Sequence, residues 1–306
     1  MKPLLAPALR EGDTVALIAP AGPLASDEEF ARAQDVVRSF GLVPRIGRNA
    51  RAKRGYLAGS DAQRVADFNE AARDPQVRGI FALRGGYGTM RILDALDYDA
   101  LAADPKVVLG YSDLTALLNA VTQRTGLVTF HGPVAALSSF SDTEREWLRR
   151  AVMQPHPLGA LDAPGACVVA EGSSHGRLCG GNLSLVAALT GTPFEIDTSG
   201  ALLFIEEVEE APYRIDRMLT QLRLSGALSC VAGVLVGRCA NCDVGADHPY
   251  AGMPLAQTLR DRLGDLGVPV VTDLPIGHRG EQWTLPIGAR ARIDGARIMI
   301  ESAAVR

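Results

Sequence analysis

Two short tracts place reactive groups where a chain can use them. Gly110-Tyr111-Ser112-Asp113 follows the apolar run Val107-Val108-Leu109, which reads as a buried strand. The residues after it put Leu114, Leu117, Leu118 and Val121 at i, i+3, i+4 and i+7, one apolar face of a helix. A serine at such an abrupt strand-to-helix turn stands above the carboxyl edge of a sheet. The unpaired N–H groups of the helix start favour a developing oxyanion there. The same position also suits a helix cap, for which Ser and Asp are preferred types, and Leu114 stands where the G-x-S-x-G elbow has its last glycine. The second tract, Arg84-Gly85-Gly86-Tyr87-Gly88, follows a strand ending at Leu83 and so should reach the same edge as Ser112. Glycines let a backbone N–H approach a ligand closely. A donor at Gly86 together with the N–H of Asp113 would make a two-donor oxyanion hole. A tight turn at positive φ or a phosphate loop are the other readings of these glycines, although no G-x-G-x-x-G fingerprint is present.

A serine nucleophile needs a base, and the chain has five histidines. His131 ends a predicted strand, where it is either structural or near the site. His156 and His248 lie in polar loops, and His175 stands near the start of a second domain. His278, in Leu274-Pro275-Ile276-Gly277-His278-Arg279, sits in a Pro/Gly-shaped loop after a strand, where a rigid backbone can aim a side chain into a cleft between domains. Five cysteines, Cys167, Cys179, Cys230, Cys239 and Cys242, are too sparse for a disulfide framework and fit a reducing compartment. Cys239-Ala240-Asn241-Cys242 with His248 downstream supplies at most three zinc ligands where a structural site usually has four, so no metal is expected.

The elements that must position these residues follow from the rest of the chain. Its 306 residues suggest two domains. Apolar runs at 15–19, 43–46, 79–83 and 107–110 alternate with helical patterns at 27–40 and 61–72, which predicts a parallel sheet covered by helices. Turn-forming residues dominate 153–172, read as a linker. Beyond it a strand at 200–205, a helix at 211–224 and further strands at 231–236, 269–272, 284–287, 291–293 and 297–301 predict a mixed, strand-rich domain. The expected fold is therefore α/β: an N-terminal doubly wound, mostly parallel domain over 1–152, a linker over 153–172, and a C-terminal mixed α/β domain over 173–306. A net charge of -4, from 31 Lys and Arg against 35 Asp and Glu, gives no basic surface for nucleic acid. The opening residues lack the pattern of a signal peptide, and no run reaches the length of a membrane span, so a soluble cytoplasmic protein is expected.

Taken in order, Gly85-Gly86-Tyr87-Gly88, Gly110-Tyr111-Ser112-Asp113, Gly180-Gly181-Asn182-Leu183, Phe204-Ile205-Glu206-Glu207 with Tyr213-Arg214-Ile215-Asp216-Arg217, and Pro275-Ile276-Gly277-His278 resemble the LD-carboxypeptidase family of serine peptidases. Gly12–Gly22 resembles that family's first strand. The resemblance implies a triad of Ser112 as nucleophile, His278 as base and then acid, and Glu206 orienting the imidazole, with partners on different domains and the site in the cleft between them. Along a strand Glu206 and Glu207 point to opposite faces. The resemblance favours Glu206 and leaves Glu207, Glu209 and Glu210 to the first turn of the following helix. It implies removal of the terminal D-alanine from a murein tetrapeptide, which fits cell-wall recycling. A triad and an oxyanion hole suffice for acyl transfer, so no cofactor is expected. Such substrates carry several carboxylates, so Arg84 is expected as one contact, with Tyr87 as a second and a homodimer as the expected assembly if there is one. A relative of the microcin C immunity peptidases, acting on a peptidyl-nucleotide, is the alternative enzyme. It would need aromatic stacking surface, whereas aromatics are 5% of this chain. A non-enzymatic small-molecule binder is the alternative of another class.

Overall fold

The computed structural model describes residues 3–136, 140–243 and 252–306. It divides into two units, one of Met1–Pro157 with Trp283–Gly288 and Ala303–Arg306, the other of Leu158–Gln282 with Ala289–Ser302.

The first unit alternates β1 (Thr14–Ile18), α1 (Asp27–Arg38), β2 (Val43–Ile46), α2 (Asp61–Arg73), β3 (Val77–Ala82), α3 (Tyr98–Ala103), β4 (Val107–Gly110), α4 (Leu114–Thr125), β5 (Thr129–His131) and α5 (Asp142–Met153). Its starts and stops are local chemistry. Ser60 with Gln63 and Ser141 with Glu144 form reciprocal capping boxes at α2 and α5, and Gly126 ends α4 at a φ of 75°. The inner strand β4 is apolar and buried at every residue, as a parallel strand covered on both faces should be. From one edge the sheet runs through a strand at Leu285–Ile287, then β5, β4, β3, β1 and β2, with β1 to β5 parallel and the edge strand antiparallel. Strand order reverses at β1 and β3, so the loops after these two strands open a crevice at the carboxyl edge.

In the second unit come β6 (Gly159–Leu161), β7 (Cys167–Ala170), β8 (Ser173–Asn182), α6 (Leu183–Leu189), β9 (Leu202–Glu206), α7 (Pro212–Leu224), β10 (Gly233–Gly237), α8 (Leu255–Leu263) and β11 (Val270–Leu274). After β12, the strand Leu285–Ile287 already placed in the first sheet, follow β13 (Arg290–Asp294) and β14 (Arg297–Ile300). The sheet order is β6-β14-β13-β8-β9-β10-β11-β7, parallel from β8 to β11 and antiparallel outside.

The architecture differs from the sequence expectation in two places. The tract 153–172, read as a linker, supplies β6 and β7, which are the two edges of the second sheet. An edge strand pairs on one side only, so it tolerates the Pro- and Gly-rich flanks that read as turns. The tract 173–306, read as wholly C-terminal, sends β12 into the first sheet against β5, where Pro286 is accommodated on an edge. The last residues return as well, Arg306 N–H donating to the Ala6 carbonyl at 2.9 Å.

Candidate active site

Ser112 occupies the turn between β4 and α4 with a φ of 63°. That left-handed conformation costs a non-glycine residue about 1–3 kcal/mol and persists only where the surroundings enforce it. The enforcement is visible on each side. A Cβ at Gly110 would lie 2.7 Å from Leu114 Cγ, so Gly110 lets the first turn of α4 fold back onto the strand. Leu114, the residue that breaks the G-x-S-x-G pattern, is thus the side chain that fills this space. A Cβ at Gly85 would lie 2.8 Å from Ser112 Cβ, so the glycine loop rests against the serine itself.

Neither Ser112 nor Asp113 makes a side-chain cap on α4. The buried Asp113 carboxylate instead accepts from Thr89 N–H at 2.9 Å, while the Thr89 hydroxyl donates to the Asp113 carbonyl. These two bonds strap the glycine loop to the elbow. Burial pushes the Asp113 carboxyl above its ordinary range, against the lowering effect of the Thr89 bonds. Gly22 N–H donates to the Gly85 carbonyl at 3.1 Å from the loop after β1, and Gly86 has a φ of 115°. Arg84 is exposed, with Nη1 donating to the Pro23 carbonyl at 3.1 Å, and Tyr87 is exposed beside it.

Arg64 was not foreseen from the sequence. On α2 it is almost completely buried, and its guanidinium donates to the carbonyls of Pro20 and Gly88 and to Asp61. It thereby ties together the loops after β1 and β3. Gly88 makes room for it, since its φ is 123° and a Cβ there would meet the Arg64 guanidinium at 2.9 Å.

The second unit brings His278 and Glu206 together, with Nδ1 2.7 Å from Oε2. Glu206 ends β9 in the middle of the sheet and is 0% exposed, while His278 keeps 17% of its side chain in solvent. Four backbone features create the approach. Asp273 at a φ of 61° and a register shift between Leu235 and Gly237 turn the chain at the end of β11. Gly277 has a φ of 100°, and any Cβ there would collide with Glu206 Oε2. A Cβ at Gly237 would lie 3.0 Å from Glu206 Cβ. Burial alone would depress the imidazole, but the hydrogen bond and charge of Glu206 prevail and raise its pKa above the ordinary value of 6.5. Glu206 Oε2 accepts at Nδ1, which leaves Nε2 as the nitrogen able to take up a proton.

Glu207 serves a different helix from the one expected. Its carboxylate accepts from Asn182 Nδ2 at 2.8 Å, Ser184 N–H at 2.8 Å, Ser184 Oγ at 2.7 Å and Val208 N–H at 2.9 Å, holding the start of α6 rather than the helix after β9. The reason is register: β8 and β9 are parallel, Asn182 lies opposite Glu206, and α6 therefore begins beside the end of β9. Glu210 does serve the following helix, through Arg214 at 3.2 Å. The Gly180-Gly181-Asn182 tract is structural in the same sense, since a Cβ at Gly180 would collide with the Phe204 carbonyl.

Of the remaining histidines, His131 is buried and meets the ring of Tyr111 edge-on at 6.1 Å, while His156 and His175 are exposed. His248 lies outside the described residues. All five cysteines are free thiols. The Cys239 thiol is held protonated by its hydrogen bond with Cys242 and by burial. Among the described residues no three His, Cys, Asp or Glu side chains are grouped to hold a metal ion, and no helix is long and apolar enough to cross a membrane.

Comparison with known proteins gives a consistent result for both units. Residues 15–132 match the model of the LD-carboxypeptidase N-terminal domain and residues 175–293 that of the LD-carboxypeptidase C-terminal domain. A probable murein peptide carboxypeptidase of Bacillus subtilis is 38% identical over 94% of this chain and 91% of its own. A solved muramoyltetrapeptide carboxypeptidase of Oxalobacter formigenes is 32% identical with a TM-score of 0.82, over 94% of this chain and 99% of its own. The microcin C7 self-immunity protein MccF of Escherichia coli is 27% identical over 95% of this chain and 93% of its own. A solved MccF without ligand has a TM-score of 0.90 at 25% identity, over 99% of this chain and 100% of its own.

Proposed function

The chain belongs to the LD-carboxypeptidase family, and from that premise we propose that it is a serine peptidase that removes the terminal D-alanine from a murein tetrapeptide in the cytoplasm. The observation that carries the reading is the left-handed backbone of Ser112, enforced by Gly85 and Gly110 at a strand-to-helix elbow. A fold that retains such strain at a serine keeps its hydroxyl raised for attack.

In the proposed reaction Ser112 Oγ attacks the carbonyl carbon of the L,D bond as its proton passes to His278 Nε2. The backbone N–H groups of Gly86 and Asp113 stabilise the oxyanion that forms on the carbonyl oxygen. Glu206 orients the imidazole and offsets the charge it gains. His278 then gives the proton to the departing amine of D-alanine, leaving an acyl-Ser112 ester. Water, deprotonated by His278, attacks that ester, the oxyanion re-forms and collapses, and the free carboxylate and Ser112 hydroxyl are restored. No cofactor takes part in this sequence. Arg84, its guanidinium anchored at one N–H and otherwise facing solvent, is the proposed contact for a substrate carboxylate.

The peptidyl-nucleotide alternative is weaker by similarity, since the MccF relative is 27% identical to this chain and the murein peptide carboxypeptidase 38%. Of the two tryptophans, Trp283 is buried and Arg150 lies over one face of the Trp147 ring at 4.8 Å. The test of the nucleophile is covalent. A fluorophosphonate should add to Ser112, located by peptide mass spectrometry, and His278→Ala should slow that labelling at least a hundredfold. Labelling at another residue, or at an unchanged rate in the variant, would refute the assignment.

A further inference from the structure

Resting on the reading above, we propose that Tyr56 is a specificity-determining residue: with Tyr87 it forms an aromatic wall beside the nucleophile that binds the acyl portion of the peptide, upstream of the scissile bond.

Tyr56 is 67% exposed and Tyr87 53% exposed, yet their rings meet edge to face at 5.4 Å from two separate loops. Exposed tyrosines are common, but a rigidly presented pair is not accounted for by folding alone. Tyr56 stands at the tip of a tight turn closed by reciprocal bonds between Arg54 and Leu57, 2.8 Å and 3.1 Å, with Gly55 at a φ of 60°. The turn is anchored at its base, where Ala58 N–H donates to the Ala21 carbonyl at 2.9 Å, one residue before the Gly22 that clasps Gly85. Underneath, Leu57 is buried and packs so closely on Gly88 that a Cβ there would lie 2.5 Å from Leu57 Cδ2. Arg64 fixes the same Gly88 by its carbonyl. Three loops are therefore laced together below two rings that face water. Arg91, chelated by Asp61 and within electrostatic reach of both phenols, borders the wall.

The place of the wall selects its ligand. Tyr87 follows Gly86, whose N–H is the proposed oxyanion donor, and Gly85 touches Ser112, so the wall is carried by the loop that borders the reacting carbonyl. A departing D-alanine is small and, beside its carboxylate, offers a pair of rings only one methyl group. Two rings open to solvent suit instead an extended chain with methylene and methyl faces, such as the L-alanyl, γ-linked glutamyl and diamino acid residues. Tyrosine offers that area at little entropic cost, having few rotatable bonds to fix.

The test compares two substrates: the free tetrapeptide, and an N-acetylated diamino acid joined to D-alanine that lacks the two upstream residues. Tyr56→Ala should lower kcat/KM for the tetrapeptide about tenfold more than for the truncated substrate, and through KM rather than kcat. Tyr56→Phe, which keeps the ring, should restore most of the difference. Equal effects on the two substrates, or an effect confined to kcat, would overturn the inference while wild-type turnover still supports the proposed function. Failure of the wild-type protein to cleave either substrate would overturn both.

Discussion

At the scale of single residues the account depends on what Ser112, His278, Glu206 and Glu207 each do. Ser112→Ala should leave the far-ultraviolet circular dichroism unchanged and lower turnover at least about a thousandfold. His278→Ala should be comparable and the double variant little worse, because nucleophile and base act as one unit. The raised pKa of His278 gives a pH dependence with a definite sign. The base must be neutral, so kcat/KM should fall on the acid side with a midpoint above 6.5, and Glu206→Gln should move that midpoint down while slowing turnover. Stability changes in the opposite sense. Because the folded pKa exceeds the unfolded one, the pairing contributes fully below the unfolded pKa and is lost as pH rises through the folded pKa. Glu207→Gln should behave differently from its neighbour. It breaks a buried acceptor of four hydrogen bonds and should lower the thermal midpoint by roughly several degrees, and because the Glu207 charge also raises His278 it should move the acid midpoint down, though less than Glu206→Gln. The sequence showed Ser112 at a strand-to-helix turn and His278 in a Pro/Gly-shaped loop after a strand, and it was the family resemblance that singled them out as nucleophile and base. The sequence could not separate the two glutamates on its own, because strand alternation assigns opposite faces without saying which face meets the histidine. The separation needs the register of β8 on β9 and the collapse of the chain at Gly277.

Among the elements, it is the turns that set the chemistry, and most of them depend on a glycine with no room for a methyl group. Gly277→Ala is the sharpest example, since its Cβ would displace the Glu206 carboxylate from His278. The variant should fold and lose most activity, with the acid limb of its pH profile shifted down as in Glu206→Gln. A folded Gly277→Ala protein with wild-type kinetics would contradict the proposed geometry of the pair. The long elements were legible in the sequence because periodicity and caps act locally. α2 begins at the Ser60 capping box, and Leu114, Leu117, Leu118 and Val121 lie buried on one face of α4. What escaped were elements decided by distant partners. β6 and β7, edge strands of three and four residues, were missed, and β12, expected as a strand, was assigned to the wrong sheet, because the pairing of all three comes from segments far along the chain. The buried Arg64 was equally hidden, since a helix position bearing an arginine reads as solvent-facing until the carbonyls of Pro20 and Gly88 are seen to require it.

For the molecule as a whole, chain order does not divide neatly into domains. The chain leaves its first sheet after β5, builds a second unit, and returns β12 and the residues Ala303–Arg306 to the first. The proposed nucleophile and oxyanion donors belong to the first unit and the proposed base and its carboxylate to the second. The central claim, that this whole is a carboxypeptidase for an L,D bond, carries a stereochemical consequence. With the acyl carbonyl fixed by Ser112 and its oxyanion donors, the leaving residue can direct its carboxylate to a cationic contact in one hand only. Losing such a contact typically costs a few kcal/mol, about a hundredfold or more in rate. The direct measurement is the initial rate of alanine release from two murein tetrapeptides that differ only in the configuration of the terminal alanine. The account predicts release from the D-terminated peptide at least about a hundredfold faster than from its L-terminated epimer, and equal rates for the two would contradict it.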